Sequence, residues 1–363
     1  MANHALTIAV FDGDGIGPEV MAPTLRLLTK ALRHQDEVEL IFEPLPAGAA
    51  HYRDTGESLP GRSLAAARAA DAILLSAMGL PDIRYPNGTE ISPQIELRME
   101  LGLYAGVRPV LVVPGQPTPL ADPRAASMDF VLIRESTEGL FHSHGKGIVT
   151  DDKEARELLL ITRDTSERLF DFAFRLAAQR RKQGRGKGVV TCVDKANVFT
   201  AFAFFRRIFQ ERAKQFPEIA AEAAYVDATA LRMVREPWTL DVLVTENMFG
   251  DILSDLGAGL MGGLGFAPSA DIGDAHAVFQ PCHGSAPDIA GRGWANPAAM
   301  ILSGAMMLDW LGHNRQHPVL ADAGAKLREA VAAVIAGGEV RTRDCGGTAT
   351  TEQFAAAVES RLA

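Results

Sequence analysis

The sequence predicts an α/β fold, and three observations predict it. Short β-branched runs bounded by Gly, Pro or Asp alternate along the chain with longer stretches of helical periodicity. The 34 glycines and 20 prolines punctuate these segments, and no internal repeat or low-complexity tract interrupts them. At 363 residues the chain is long enough for one large α/β unit or for two domains sharing an interface.

Taken in order, the strand candidates are Leu6–Phe11, Val38–Glu43, Ala72–Leu75, Val107–Val113, Phe130–Arg134, Gly188–Val193, Ala223–Val226 and Val242–Thr245. The helix candidates are Glu19–Leu32, Pro93–Leu103, Arg163–Gln179, Val198–Lys214, Asp251–Leu260, Pro297–Leu311 and Ala321–Ala336. Residues 139–152, rich in Gly and His and without helical periodicity, read as a loop or hairpin projecting from the body.

Charge and cysteine content exclude several function classes. A net charge of −9 argues against binding a phosphate backbone, which requires a concentrated positive field. The densest basic stretch, Arg180, Arg181, Lys182, Arg185 and Lys187, reads as cations at a helix C-terminus running into a solvated loop. Cys192, Cys282 and Cys345 are too widely spaced for a zinc site or a disulfide framework, which points to a reducing compartment. The start, MANHALTIAVF, lacks the regions of a signal peptide, and the apolar tract Ala298–Leu308 is too short to span a bilayer. The expectation is a cytoplasmic protein with no membrane or nucleic-acid partner.

The Gly-rich start, Gly13-Asp14-Gly15-Ile16-Gly17-Pro18-Glu19, has one residue between its second and third glycines where a dinucleotide fingerprint needs two. It reads instead as a tight turn, with Pro18 in the first turn of the helix.

Asp251 and Asp255 lie four apart at a helix start and so share one face. Alone, such a pair suits the positive end of a helix; with a third oxygen donor it suits Mg2+ or Mn2+. Asp227, ending the strand-like AAYVD, offers that donor. Lys195 follows a strand; it reads either as a proton-transfer base or as a surface lysine paired with Asp194. Arg98 on a helix, Arg108 before a strand and Arg134 at a strand end either converge on carboxylates or form three separate surface ion pairs.

Together these segments resemble the β-decarboxylating dehydrogenase family: isocitrate, isopropylmalate, homoisocitrate, tartrate and D-malate dehydrogenases. The resemblance rests on GDGIGPEV (13–20), the arginine series, RESTEG (134–139), VDKANV (193–198), YVDA (225–228), NMFGDILSD (247–255) and HGSAPDIAGRGWANP (283–297), in family order across almost the whole chain. It implies an isopropylmalate/isocitrate dehydrogenase-like two-domain fold with a large mixed sheet, not a Rossmann fold. Residues 1–105 plus 256–363 would form the large cofactor-binding domain. Residues 106–255 would form a small domain with the dimer interface and a projecting arm. The resemblance further implies NAD along the 283–297 loop, at His283, Gly284, Ser285, Ala286, Asp288 and Asn296. Asp288 would accept hydrogen bonds from the adenosine ribose and disfavour NADP. Mg2+ or Mn2+ would sit on Asp251, Asp255 and Asp227, and the substrate carboxylates on Arg98, Arg108 and Arg134. In the implied homodimer, Lys195 and Asp227 serve the partner's site.

The implied reaction oxidises the C2 hydroxyl of a malate-type 2-hydroxy acid, releases CO2 from the resulting β-keto acid and protonates C3 of the enol. Here the sequence departs from the family: Phe141 stands where a tyrosine usually supplies that proton. Gln280 stands where isopropylmalate enzymes commonly have glutamate, and Asp12 replaces a usual proline. The residues that read the C3 substituent correspond to Ser92, Gln94 and Ile95, with Ile91 beside them. They favour a small or mixed-polarity 3-substituted (2R)-malate of the D-malate, tartrate or isopropylmalate kind. The alternatives are an isocitrate or homoisocitrate substrate, or a non-catalytic binding or regulatory subunit on account of Phe141.

Overall fold

The computed structural model describes residues 4–33, 35 and 37–362. Among these described residues twelve strands run β1 His4–Phe11, β2 Val38–Pro44, β3 Ala72–Leu75, β4 Ala105–Leu111, β5 Asp129–Glu135, β6 Ile148–Thr150, β7 Glu154–Arg156, β8 Val189–Asp194, β9 Ala220–Tyr225, β10 Val242–Thr245, β11 Pro268–Ile272 and β12 Ala277–Pro281. The helices are α1 Gly17–Ala31, α2 Ala49–Thr55, α3 Gly61–Ala69, α4 Pro93–Glu100, α5 Arg163–Lys182, α6 Thr200–Ala213, α7 Val226–Arg235, α8 Asn247–Leu260, α9 Ala298–Asn314, α10 Pro318–Gly337 and α11 Thr351–Glu359.

Ten strands form one mixed sheet in the order β2-β1-β3-β12-β11-β4-β5-β10-β8-β9. Four parallel strands lie at each end. Between them β11 runs antiparallel to β12 and β4, and β4 runs antiparallel to β5. The β11–β12 pair, from late in the chain, is thus inserted between β3 and β4. This mixed sheet agrees with the expected fold and is unlike an all-parallel doubly wound sheet. The ends of the chain also meet through Arg26 and Lys30 of α1, which pair with Glu352 and Glu359 of α11.

The Gly-rich turn between β1 and α1 is a packing device. A side chain at Gly13 would lie 2.1 Å from the Ala77 carbonyl oxygen, and one at Gly15 would lie 2.0 Å from that of Ser285. Both glycines have positive φ, 76° and 58°. Protein backbone fills the space beside both glycines. Ile16 N donates to Ser285 O at 2.8 Å. Glu19 accepts from Gly293 N and Ala295 N and from the Thr351 hydroxyl, at 3.2, 3.0 and 2.7 Å. The opening motif therefore holds the 283–297 loop in place. Asp14, buried, accepts from Ala49, Ala50 and Gly79 N–H groups and so fixes the start of α2.

Three expectations are corrected. Asp227 does not end a strand: β9 stops at Tyr225 and Asp227 lies in the first turn of α7, where its charge favours the helix N-terminus. Lys195 does not pair with Asp194, whose carboxylate is taken by Arg206 at 2.7 and 2.8 Å. The basic stretch does end α5, but Arg180 is buried, bonded to Asp129 and Asp241 rather than solvated. The apolar tract lies in α9, a core helix that continues past the Asp309–Arg328 ion pair to Asn314, and among the described residues no helix is long and apolar enough to cross a membrane. Residues 148–156 do form a hairpin, β6–β7, with Ile148 and Val149 exposed.

Candidate active site

The site grows out of the central antiparallel strands. In register, Asp271 of β11 lies opposite Gly106 of β4, and Gly106 lies opposite Arg134 of β5. Side chains alternate faces along a strand, so Arg108 and Ser136, two residues on, share the face of that row. Gln280 of β12 joins them, because its i−2 neighbour Val278 lies opposite Asp271. Gly106 makes the arrangement possible. A Cβ there would come within 2.5 Å of the Ser136 hydroxyl and 3.1 Å of an Asp271 carboxylate oxygen.

Two helices cover this face. Arg98 reaches in from α4, and Asn247 and Asp251 from α8. Arg98 Nε donates to Asp271 Oδ2 at 3.0 Å, and Arg108 Nη2 donates to Oδ1 at 3.1 Å. Gln280 Nε2 and Ser136 Oγ complete the carboxylate at 2.6 and 3.3 Å. Arg134 donates to Asn247 Oδ1 from Nε and Nη2 at 3.1 and 2.7 Å, and forms an ion pair with Asp251. All three arginines are buried, so they are not separate surface pairs.

The electrostatics are those of an anion site. Burial alone would raise the Asp271 carboxyl, but the charges of Arg108, Arg98 and Arg134 hold it down at about 2. Burial and the charge of Arg98 push Arg134 down to about 10 despite Asp251. Three buried cations against one buried carboxylate leave a positive surplus that an incoming carboxylate would relieve. Beside them, burial raises Glu135 to about 7, although Thr137 and Glu138 donate to it.

The positions expected to read the C3 substituent open α4. Ser92 is its N-cap, its hydroxyl donating to Glu90 O at 3.2 Å, while Gln94 Oε1 is buried without a partner. Ile95 is half-buried on the same helix. Phe141 sits with its ring 5.5 Å from the Arg134 guanidinium carbon, and the exposed His144 stacks edge-on against it at 6.5 Å.

Asp251 and Asp255 share one face of α8. Partial burial and the neighbouring Asp251 charge raise the Asp255 carboxyl, a repulsion that a hard divalent cation would offset. The donor chemistry therefore fits Mg2+ or Mn2+, but one chain does not complete the set: among the described residues no three His, Cys, Asp or Glu groups gather to hold a metal. Asp227 is exposed and paired with Lys195 Nζ at 2.6 Å. No hydrogen bond or ion pair among the described residues joins Lys195 or Asp227 to the arginines, Asp251 or Asp255.

On the 283–297 loop, His283 Nε2 is buried without a partner, while its Nδ1 lies 3.0 Å from Gly284 O. Ser285 donates to Gly79 O, and Asp288 is exposed. Ala286 carries a positive φ of 38°. Asn296 is buried, with Oδ1 accepting from Ala298 N at 3.0 Å and Nδ2 donating to Asp344 at 3.0 Å, so it anchors α9 to the loop carrying Asp344. An orphaned ring nitrogen and an exposed carboxylate fit a dinucleotide along this loop.

Asp271, Ser136 and Asn247 were not singled out in the sequence. Only the long-range pairing of β11 with β4 exposes Asp271; Asn247 had a signal in its position in NMFGDILSD.

The isocitrate/isopropylmalate dehydrogenase family model matches residues 7–358. The 3-isopropylmalate/3-methylmalate dehydrogenase of Methanocaldococcus jannaschii is 40% identical over 360 residues, covering 98% of both chains. The 3-isopropylmalate dehydrogenase of Lactococcus lactis is 39% identical over 362 residues, covering 99% of both. Among solved structures, isocitrate dehydrogenase from Methylococcus capsulatus superimposes with a TM-score of 0.84 at 36% identity, over 98% of this chain and 99% of that one. By sequence and fold the chain belongs to the isocitrate/isopropylmalate dehydrogenase family, the dehydrogenases of hydroxy acids.

Proposed function

We propose that the protein oxidises and decarboxylates a 3-substituted (2R)-malate-type acid with NAD and Mg2+ or Mn2+, as a cytoplasmic homodimer with shared active sites. The observation that carries this reading is the burial of Arg98, Arg108 and Arg134 on one face, beside the acidic face of α8. The arginines bind and orient the carboxylates of the acid, fixing C2 and C3. Lys195 of the partner subunit takes the proton from the C2 hydroxyl. A divalent cation held by Asp251, Asp255 and the partner subunit's Asp227 would supply Lewis-acid stabilisation of the charge developing at the C2 oxygen. NAD along the 283–297 loop would supply the hydride acceptor, with the Asp288 carboxylate accepting from ribose hydroxyls and repelling a 2′-phosphate.

Phe141 has no proton to give, so the proton at C3 comes from water, from His142 or His144, or after release of the enol. Its ring borders the Arg134 guanidinium, 5.5 Å from its central carbon. Ser92, Gln94 and Ile95 combine polar and apolar contacts, which supports a small or mixed-polarity C3 substituent.

Exposed surfaces support the dimer, as the resemblance does. Leu231 and Val234 of α7 and Met248 and Ile252 of α8 are exposed on two helices packed together. Adjacent apolar side chains of this kind mark interaction surfaces. The large domain is taken as residues 1–105 plus 256–363 and the small domain as 106–255.

The test is a panel of D-malate, tartrate, isopropylmalate and isocitrate with NAD+ and Mn2+, following NADH. Turnover of a 3-substituted malate supports the reading. NADH formation from none of them overturns it in favour of a binding subunit.

A further inference from the structure

We propose that Asp271 is a positioning and specificity residue: it locks Arg98 and Arg108 and cancels one of the three guanidinium charges, so the site prefers a hydroxy acid with two carboxylates over one with three. The inference rests on the reading of this face as the hydroxy-acid site.

Donor counting supports it. A guanidinium carries five N–H donors in a rigid fork. Asp271 takes the Nε edge of Arg98, and among the described residues nothing takes its two terminal nitrogens. Arg108 is held through Nη2 by Asp271 and through Nη1 by Ala270 O at 3.1 Å. Both planes are thereby fixed from behind. Asp271 is itself spent: Arg98, Arg108, Gln280 and Ser136 donate to its two oxygens, and it is fully buried. It acts as a fixed counter-charge rather than as a base or ligand.

The charge count follows. Asp251, which pairs with Arg134, is counted with the divalent cation it would hold; the buried row itself, three arginines and one aspartate, then leaves two positive charges, matching two carboxylates. In a buried site an unmatched third carboxylate has no cation to offset its desolvation. The strand register explains why this position is decisive, since Asp271 shares its row with Arg134 across Gly106.

The experiment measures kcat and KM for a 3-alkylmalate and for a 2-hydroxytricarboxylate, with NAD+ and Mn2+ saturating. The variants are Asp271→Asn and the double exchange Asp271→Asn with Gln280→Glu. The single variant should raise the dicarboxylate KM about tenfold or more with kcat little changed, and shift the kcat/KM ratio toward the tricarboxylate by about tenfold. The double exchange returns the negative charge to the same hydrogen-bonded pair, so its ratio should lie within about threefold of wild type. A folded Asp271→Asn with unchanged KM and ratio overturns the proposal. If the single variant does not fold, the double exchange decides: a ratio near wild type supports the role, a shifted ratio overturns it. Failure of wild type to turn over any acid overturns the enzymatic reading instead. Calorimetric titration with succinate and with citrate then decides the role of Asp271. A succinate preference present in wild type, lost in Asp271→Asn and kept in the double exchange supports it; equal preference in wild type and Asp271→Asn, loss in the double exchange, or no binding to wild type overturns it.

Discussion

The two halves of the site are built differently. The arginine group is finished inside one chain: its members come from α4, β4, β5, β11 and β12, and every acceptor of Asp271 is met. The Lys195–Asp227 pair is exposed, bonded to itself and bordered by the apolar faces of α7 and α8. A buried charge must be paired within the fold that buries it. An exposed pair beside an apolar surface is free to find its role against another molecule. The contrast teaches that one half of the site belongs to the fold, while under the proposed dimer the other belongs to its assembly.

The largest effect should come from the acidic face that joins the halves. Asp251→Asn should lower turnover by about 100-fold or more and weaken the Mn2+ titration. Normal activity with a normal metal titration would break the assignment.

The finished half should also carry its own pH signature. Glu135 has a folded pKa of about 7, above its ordinary 4.5. The folded state therefore holds this proton more tightly than the unfolded state. The contribution of Glu135 to stability is full below about pH 4.5 and is lost as pH rises through about 7, by roughly 3 kcal/mol. Glu135→Gln should flatten that slope in denaturant titrations across the window. A variant as pH-dependent as wild type would sink the account of Glu135.

A smaller effect concerns the cofactor loop, which the opening turn and Glu19 hold rigid. Wild type should favour NAD+ over NADP+ by about tenfold or more, and Asp288→Ala should narrow the gap. Equal use of both by wild type would remove Asp288 from the ribose.

The smallest concerns Phe141. Phe141→Tyr should raise decarboxylating turnover by roughly a few-fold where C3 protonation limits the rate. Running wild type in D2O adds detail: random stereochemistry at C3 means the enol leaves before protonation, while stereospecific labelling that disappears on mutating His142 and His144 means a histidine acid.

What could be read in the sequence divides along similar lines. Arg134, Lys195 and Asp251 lie in contiguous motifs and Arg98 in a helical pattern, so local spacing placed these four; Arg108, expected just before a strand, lies inside β4. Asp271 lies in PSADI, a short segment without clear alternation between a proline and a glycine. Only its pairing with β4 gives it meaning. Strands β11 and β12 went unread for that reason, as did α2, α3, α7 and α11, the first two too short to build periodicity. Asp227 was assigned to a strand because β9 passes into α7 without a Gly or Pro to mark the change.

Subunit complementation tests the division between the halves most directly. Lys195→Ala and Arg134→Ala chains, each inactive alone, are mixed under conditions of proven exchange, and NADH formation is followed. In a mixed dimer one site carries both lesions and the other carries neither, so random exchange should restore about a quarter of wild-type activity. No recovery in demonstrably mixed dimers would mean that Lys195 and Arg134 serve the same chain's site, and the shared-site account would fall.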